Sequence, residues 1–422
     1  MNMPAGSLNL DQQALERLRG GDVRADFPLL VHEAEANGLV FLDSAASAQK
    51  PQVVLDALAN VYERNYANIH RGVYKLSQDA TTLYEAARGK VKGFLGAADD
   101  REIVFVRGTT EGLNLLANSF VRPRLSPGDE VLVTEMEHHS NLVPWQLLCQ
   151  ATGAVLKHVP LADDGTLQMD TLDHLLTART KVFAVAHVSN ALGTVNPIRD
   201  LVRLAHEKDI PVIVDGAQAT PHMAVDVQDL DCDFYVFSGH KVYGPTGIGA
   251  VYGKLAHWEA MPPWQGGGDM ILNVTLSEST YAPPPARFEA GTPHIAGAIG
   301  LGAAIDYLQT LGLDAITTHE ADLLDYGNAL LGSIPGLRLI GTAPDKAGVF
   351  SFVLDGVHPH DVGTVLDTHH IAVRTGHHCA QPIMDRFKVP ATTRASLGLY
   401  NTRTDLDALA EALHQVRKFF GV

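Results

Sequence analysis

Cysteine is scarce in this chain. Cys149, Cys232 and Cys379 are its only three among 422 residues, and no two stand in a CxxC pair. That excludes a disulfide framework and a structural zinc site, and it fits a reducing, cytoplasmic compartment. Long apolar runs are missing too: no stretch approaches the ~20 residues that a membrane span requires. Residues 1–24 are polar and carry Asp and Glu, unlike a secretory signal peptide. Positive charge is the third shortage. Lys and Arg total 32 against 48 Asp and Glu, a net charge of −16. Such a surface argues against nucleic acid and membrane as partners, while a local arginine pair could still hold a small anionic substrate.

What the chain does have is core material. Hydrophobic residues make up 46% of a sequence too long for one compact core, so two or three domains are expected. Short apolar runs at Ile103–Val106, Val131–Val133, Val182–Val185 and Pro211–Val214 read as buried strands. Between them, stretches such as Gly112–Phe120 and Pro197–His206 have helical period. Alternation of this kind predicts an α/β fold with a mainly parallel sheet covered on both faces. The spacing of Leu10, Leu15 and Leu18 predicts an N-terminal helix, with a docking segment at Val23–Pro28. Pro283-Pro284-Pro285 marks a surface loop. Further on, Ala315–Leu331 reads as a helix, then Val349–Leu354, Ile371–Arg374 and Ala395–Leu399 as strands, and Asp405–Phe420 as a closing amphipathic helix. The expected division is a large α/β domain over 38–305 and a smaller α+β domain made from 1–37 and 306–422.

Lys241 is the most informative residue. It follows the apolar run Phe234-Tyr235-Val236-Phe237, where desolvation disfavours the ammonium form and frees a nucleophilic amine. Asp215 ends an earlier strand, Val212-Ile213-Val214. A strand-end Asp and a later strand-end Lys suggest a pyridoxal 5′-phosphate (PLP) site, with the lysine on the cofactor aldehyde and the carboxylate on the pyridine nitrogen. Gln218 then suits the ring's phenolic oxygen. Arg107-Gly108-Thr109-Thr110 follows a strand and opens a helix, where free N–H groups and hydroxyls suit a phosphate dianion. Ser238 and His240 flank Lys241 closely enough to add to that cradle. His138 and His139 follow the strand Val131–Val133. Adjacent histidines on an extended segment point opposite ways, so stacking on a cofactor or proton transfer fits better than chelation of a metal.

These motifs, with Leu42-Asp43-Ser44-Ala45-Ala46, His187-Val188-Ser189-Asn190, Arg287-Phe288-Glu289-Ala290-Gly291-Thr292-Pro293 and Arg374-Thr375-Gly376-His377-His378-Cys379, closely resemble the SufS-type (group II) cysteine desulfurases among the class V, fold-type-I PLP enzymes. The resemblance runs from about Asp22 to the C-terminal helix. It implies a mainly parallel, seven-stranded-type sheet between helices, with a smaller α+β domain. It implies Lys241 as the cofactor lysine, His138 stacked on the ring, and phosphate contacts from Thr109, Thr110, Ser238 and His240. Asn190 and Gln218 fall near the ring oxygen, with Asn190 also toward substrate. Thr292 corresponds to a residue that reaches across a homodimer interface to the partner's phosphate, although His294 stands where many relatives carry Asn.

Cys149 and Cys232 lie in apolar surroundings and read as structural. Cys379 follows two histidines in a glycine-bearing loop and reads as the nucleophile. Arg394, supported by Arg374, is the expected carboxylate anchor. The implied activity is L-cysteine desulfuration, giving L-alanine and a persulfide on Cys379 for iron–sulfur cluster assembly. Alternatives of other kinds are a selenocysteine lyase or another class V PLP enzyme, and a non-catalytic sulfur-carrier scaffold. The Val357-His358-Pro359-His360-Asp361 segment reads as a polar loop that resembles branches using a zinc-bearing SufU-type acceptor more than a SufE-type one. There His360 would serve sulfur transfer through zinc exchange.

Overall fold

The structure, a computed structural model, describes residues 5–422, with side chains from Gln12 onward. After β1 (Val40–Phe41), seven strands form the central sheet. They are β2 (Ile103–Val106), β3 (Glu130–Thr134), β4 (Val155–Val159), β5 (Thr180–Ala186), β6 (Val212–Asp215), β7 (Phe234–Ser238) and β8 (Gly249–Gly253). Their order is β2-β8-β7-β6-β5-β3-β4, and only β8 runs against its neighbours. The mainly parallel sheet expected from the alternating pattern is therefore present.

Strand period two sorts the side chains onto two faces. Ile103, Phe105, Leu132, Phe183, Val185, Val212, Val214, Tyr235 and Phe237 join one core. Their chain neighbours Val104, Val106, Val131, Val133, Val182, Ala184, Ile213, Phe234 and Val236 join the other. Burial on both faces explains why these strands read as continuous apolar runs.

An exposed hairpin follows, β9 (Ile271–Val274) with β10 (Ser279–Tyr281). A second sheet then forms from β11 (Leu337–Ile340), β12 (Val349–Leu354), β14 (Arg374–Gly376) and β15 (Thr392–Ser396), in the order β11-β12-β15-β14. The short β13 (Ile371–Ala372) pairs in parallel with β1 instead. The run expected as one strand over 371–374 thus splits at Val373 between two sheets. The strand expected at 395–399 ends at Ser396, because the Gly398 N–H turns to the Asn401 side chain and leaves the ladder.

The N-terminal helix Ala5–Gly20 matches the expected period, and helix Leu313–Gly332 packs against it. The docking segment buries Val23 and Phe27 completely, and the Phe27 ring lies 4.9 Å from that of Tyr400. The helix expected from Gly112 begins at Thr109 and loosens into a π-helical turn at Leu116–Val121. Among the described residues, no helix is long and apolar enough to cross a membrane.

One glycine is required where β6 leaves the sheet. A Cβ on Gly216 would stand 2.0 Å from Cε1 of Tyr235, whose hydroxyl is held by Nδ1 of His187 at 2.9 Å. Gly216→Ala is therefore expected to destabilise the protein by about 1–3 kcal/mol through overpacking. Denaturant unfolding of the variant measures this, and an unchanged midpoint would show that Tyr235 yields freely.

Candidate active site

In a parallel sheet, ligands bind beyond the carboxyl ends of the strands. Here those ends carry the residues in question. Thr109 follows β2, His138 follows β3, Asn190 follows β5, Asp215 ends β6, and Ser238 ends β7 just before Lys241. They surround a cavity of about 370 Å³. Every site residue expected from the sequence lines it except Thr292 and His360.

Burial sets the protonation of the core groups. It pulls the Lys241 ammonium down to about 8, with Asp215 opposing the shift. It pushes the Asp215 carboxyl up, while among the described residues the one hydrogen bond to this group comes from the Ala217 N–H at 3.0 Å. Burial, then the nearby Lys241 charge, pulls His138 down to about 3, so its imidazole is neutral. Glu137, also buried, is pushed up to about 8 and accepts from Thr134, Asn141 and the Ala186 N–H.

The two arginines arrive through strand register. Arg374 on β14 lies directly across from Arg394 on β15. Like charges placed so are unfavourable by themselves. Asp43, delivered by the β1–β13 pairing, relieves them. It meets Nη2 of Arg374 at 2.8 Å and Nη2 of Arg394 at 3.3 Å. Asp43 was legible only as part of a motif; its role as the shared counter-ion follows from pairing across 331 and 351 positions of sequence.

The Cys379 loop is pinned at several points. The His139 N–H donates to the Cys379 carbonyl at 2.6 Å, and the Asn190 side chain donates to the His378 carbonyl at 2.6 Å. The Gln381 N–H donates to Nε2 of His139 at 3.2 Å. His139, set aside in the sequence in favour of His138, is thus the tether of this loop. His378 and Cys379 both adopt left-handed backbone, φ 53° and 54°, a conformation that side chains with a Cβ disfavour. The Cys379 side chain is exposed, whereas Cys149 and Cys232 are buried. Burial pushes the Cys149 thiol up to about 11 and Cys232 higher still.

Two expected residues lie elsewhere. Thr292 is exposed and lines a separate surface cavity with Arg107, Glu111 and His294. His360 is exposed too, but not in a loop. Pro359 begins helix Pro359–Thr368, and Nδ1 of His358 caps it by accepting the His360 N–H at 3.2 Å. Proline is favourable at that first position, which turns the polar segment into a helix start.

Residues 40–409 match the model of the aminotransferase class-V family. The chain belongs to that family. A cysteine desulfurase of Dickeya dadantii (strain 3937) is 53% identical over 94% of this chain and 97% of its own length. One from Escherichia coli O127:H6 is 52% identical over 94% and 98%. Among solved structures, the cysteine desulfurase CsdA of Escherichia coli superposes with a TM-score of 0.87 at 42% identity, covering 94% of this chain and 98% of that one. The apo cysteine desulfurase of Thermococcus onnurineus NA1 gives 0.90 at 38%, with the same coverage.

PLP is the cofactor of this class V family, and the residues present fit it. Among the described residues, the buried Asp215 carboxylate has no cation paired to it, as a protonated ring nitrogen would be. Oε1 of Gln218 and Nε of Arg394 are buried polar atoms on the same cavity wall, without partners among the described residues. Thr109 and Ser238 hydroxyls meet at 2.8 Å beside the N-terminus of helix Thr109–Leu115.

If Lys241 is the residue that captures the cofactor aldehyde, as the sequence leads one to expect, only its neutral amine can do so. The rate of PLP uptake by the apo-protein should therefore climb with pH and level off near 8, where Lys241 loses its proton. Stopped-flow visible absorbance against pH reads this. A climb that continues to about 10.4, the ordinary lysine value, would contradict the desolvated amine.

Proposed function

We propose that this protein is an L-cysteine desulfurase of the SufS type, taking L-cysteine as substrate and passing sulfur to an acceptor protein. The observation that carries the proposal is the exposed Cys379 thiol on the cavity that also holds Lys241, Asp215 and both arginines. A class V aminotransferase needs no thiol there.

The chain's residues divide the work as follows. Arg394, with Arg374, binds the substrate carboxylate, and its unpartnered Nε is a ready donor. Bound PLP supplies the electron sink that acidifies the substrate Cα. Lys241 takes the Cα proton, and its position near neutrality lets it return a proton to the product. Asp215 supports the ring nitrogen, while His138, neutral, offers an uncharged face for stacking. Thr109, Thr110, Ser238 and His240 hold the phosphate, with Asn190 and Gln218 beside the ring oxygen. The Cys379 thiolate attacks the substrate sulfur: an S–S bond forms, the C–S bond breaks with its electron pair left on carbon, and protonation there releases L-alanine. Sulfur remains as a persulfide on Cys379.

Thr292 and its surface cavity belong, in this reading, to the interface of a homodimer and serve the partner's phosphate. The division into 38–305 and 1–37 with 306–422, the cytoplasmic compartment and the use in iron–sulfur cluster assembly are parts of the same proposal. So is a zinc-bearing SufU-type acceptor, favoured over a SufE-type one, with exposed His360 at a helix start competing for its zinc.

Single-turnover incubation with L-cysteine tests the whole. Alanine and persulfide should form in equal amounts, with the persulfide on Cys379 by mass spectrometry. Cys379→Ser should keep PLP and make neither product. His360→Ala should keep the first turnover and lose stimulation by the zinc-loaded acceptor alone. Persulfide on Cys149 or Cys232 would refute the assignment.

A further inference from the structure

Lys50 does not line the active-site cavity, but its ammonium reaches the backbone of a residue that does. It donates to two carbonyls, those of Ala48 and His240, the latter at 3.0 Å. Among the described residues no carboxylate pairs with it. Burial pulls this ammonium down to about 8. A half-buried cation held on neutral carbonyls is unfavourable in itself, and a solvated position would avoid that cost. The place of the contact supplies the reason. His240 immediately precedes Lys241, so its carbonyl belongs to the peptide unit from which Lys241 hangs.

That peptide unit is held on both sides. Its carbonyl also accepts from the Ala48 N–H at 3.1 Å and the Ser47 hydroxyl at 3.4 Å, and its N–H donates to the Ser238 carbonyl at 3.3 Å. The unit is planar, so fixing its C=O and its N–H fixes its orientation, and with it the start of the Lys241 side chain. The segment that does the holding is itself anchored. The Tyr400 hydroxyl meets that of Ser44 at 2.7 Å and accepts the Gln49 N–H at 3.3 Å. Of the three donors on the His240 carbonyl, Lys50 is the charged one, and a charge-assisted hydrogen bond is about twice as strong as a neutral one.

We infer that Lys50 is a positioning residue for Lys241: through the His240 carbonyl it aims the cofactor lysine into the cavity. The inference deepens the reading given above and rests on Lys241 being the residue that takes the cofactor aldehyde. The Lys50 charge has a second effect at the same place. Burial, then the charges of Lys241 and Lys50, pull the His240 imidazole down to about 4, so it stays neutral. A neutral imidazole beside the proposed phosphate cradle is a hydrogen-bonding group and not a further cation. Aim matters because rate falls steeply with misplacement: about 1 Å can cost on the order of 100-fold.

Stopped-flow capture of PLP by the apo-protein, followed against pH in wild type and Lys50→Met, tests the inference. In Lys50→Met the plateau rate should fall at least about tenfold. The pH at which it levels should stay near 8, because the surroundings that desolvate Lys241 are untouched. In the PLP-loaded variant kcat for L-cysteine should fall by a similar factor with KM little changed, since the proposed carboxylate anchor, Arg394, is left in place. Lys50→Gln is the second variant, read in the same way if Lys50→Met does not fold. An unchanged plateau in the folded variant would overturn the positioning role. So would a levelling pH that moves toward about 10.4, the mark of a site merely opened to water. Borohydride trapping with peptide mapping separates this inference from the reading beneath it. PLP fixed on Lys241 in a wild type that makes no alanine from L-cysteine would end the desulfurase reading and leave the positioning role standing. PLP fixed on another lysine would overturn the positioning role.

Discussion

At the heart of the molecule is a carboxylate taken out of water with no cation in contact with it among the described residues, the charge of Lys241 acting on it only from a distance. Asp215 ends a strand whose other residues are wholly buried, and among the described residues one backbone N–H is its only hydrogen-bond donor. A lone buried charge is costly until it is paired or protonated. Here the cost prepares the site. In the proposed site it makes the position selective for a protonated aromatic nitrogen, and the same dryness pulls the amine of Lys241 toward neutrality. Neither property would survive an open, hydrated cavity. The sheet makes both possible, because β5, β6 and β7 are covered on both faces and release their chain only at their carboxyl ends.

In the proposed mechanism, chemistry at Lys241 becomes useful only if a thiol and a carboxylate anchor arrive from the far end of the chain. Short backbone pairings bring them. β1 pairs with β13 and sets Asp43 between two arginines that strand register places face to face. His139 and Asn190, from the large sheet's loops, hold the carbonyls of Cys379 and His378. The result is a loop fixed at its backbone with an exposed thiol at its tip. That suits the role proposed for Cys379, to reach into the cavity for sulfur and then offer it outward.

Much of this was legible in the sequence for definite reasons. Apolar runs between helical stretches gave the parallel sheet, since strands buried on both faces cannot hide their composition. Lys241 and Asp215 stood out because each follows such a run. Other features were not legible. The shared counter-ion role of Asp43 and the tether made by His139 depend on contacts between residues more than 200 positions apart. His360 was expected in a loop because its neighbours are polar, but Pro359 and the His358 cap start a helix there. The 371–374 segment was expected as one strand, and no periodicity could show that its two halves pair with different sheets.

The central claim is that Asp215 is a buried charge that only PLP satisfies. Burial raises its pKa in the folded apo-protein, so this group leaves stability intact below the ordinary carboxylate range. It then costs stability as pH rises through the raised value. Thermal unfolding of apo and PLP-loaded protein at pH 7, for wild type and Asp215→Asn, tests this directly. The account predicts that Asp215→Asn raises the midpoint of the apo-protein and sharply reduces the extra stability that PLP confers. A variant less stable than wild type without PLP, yet equally stabilised by it, would contradict the claim.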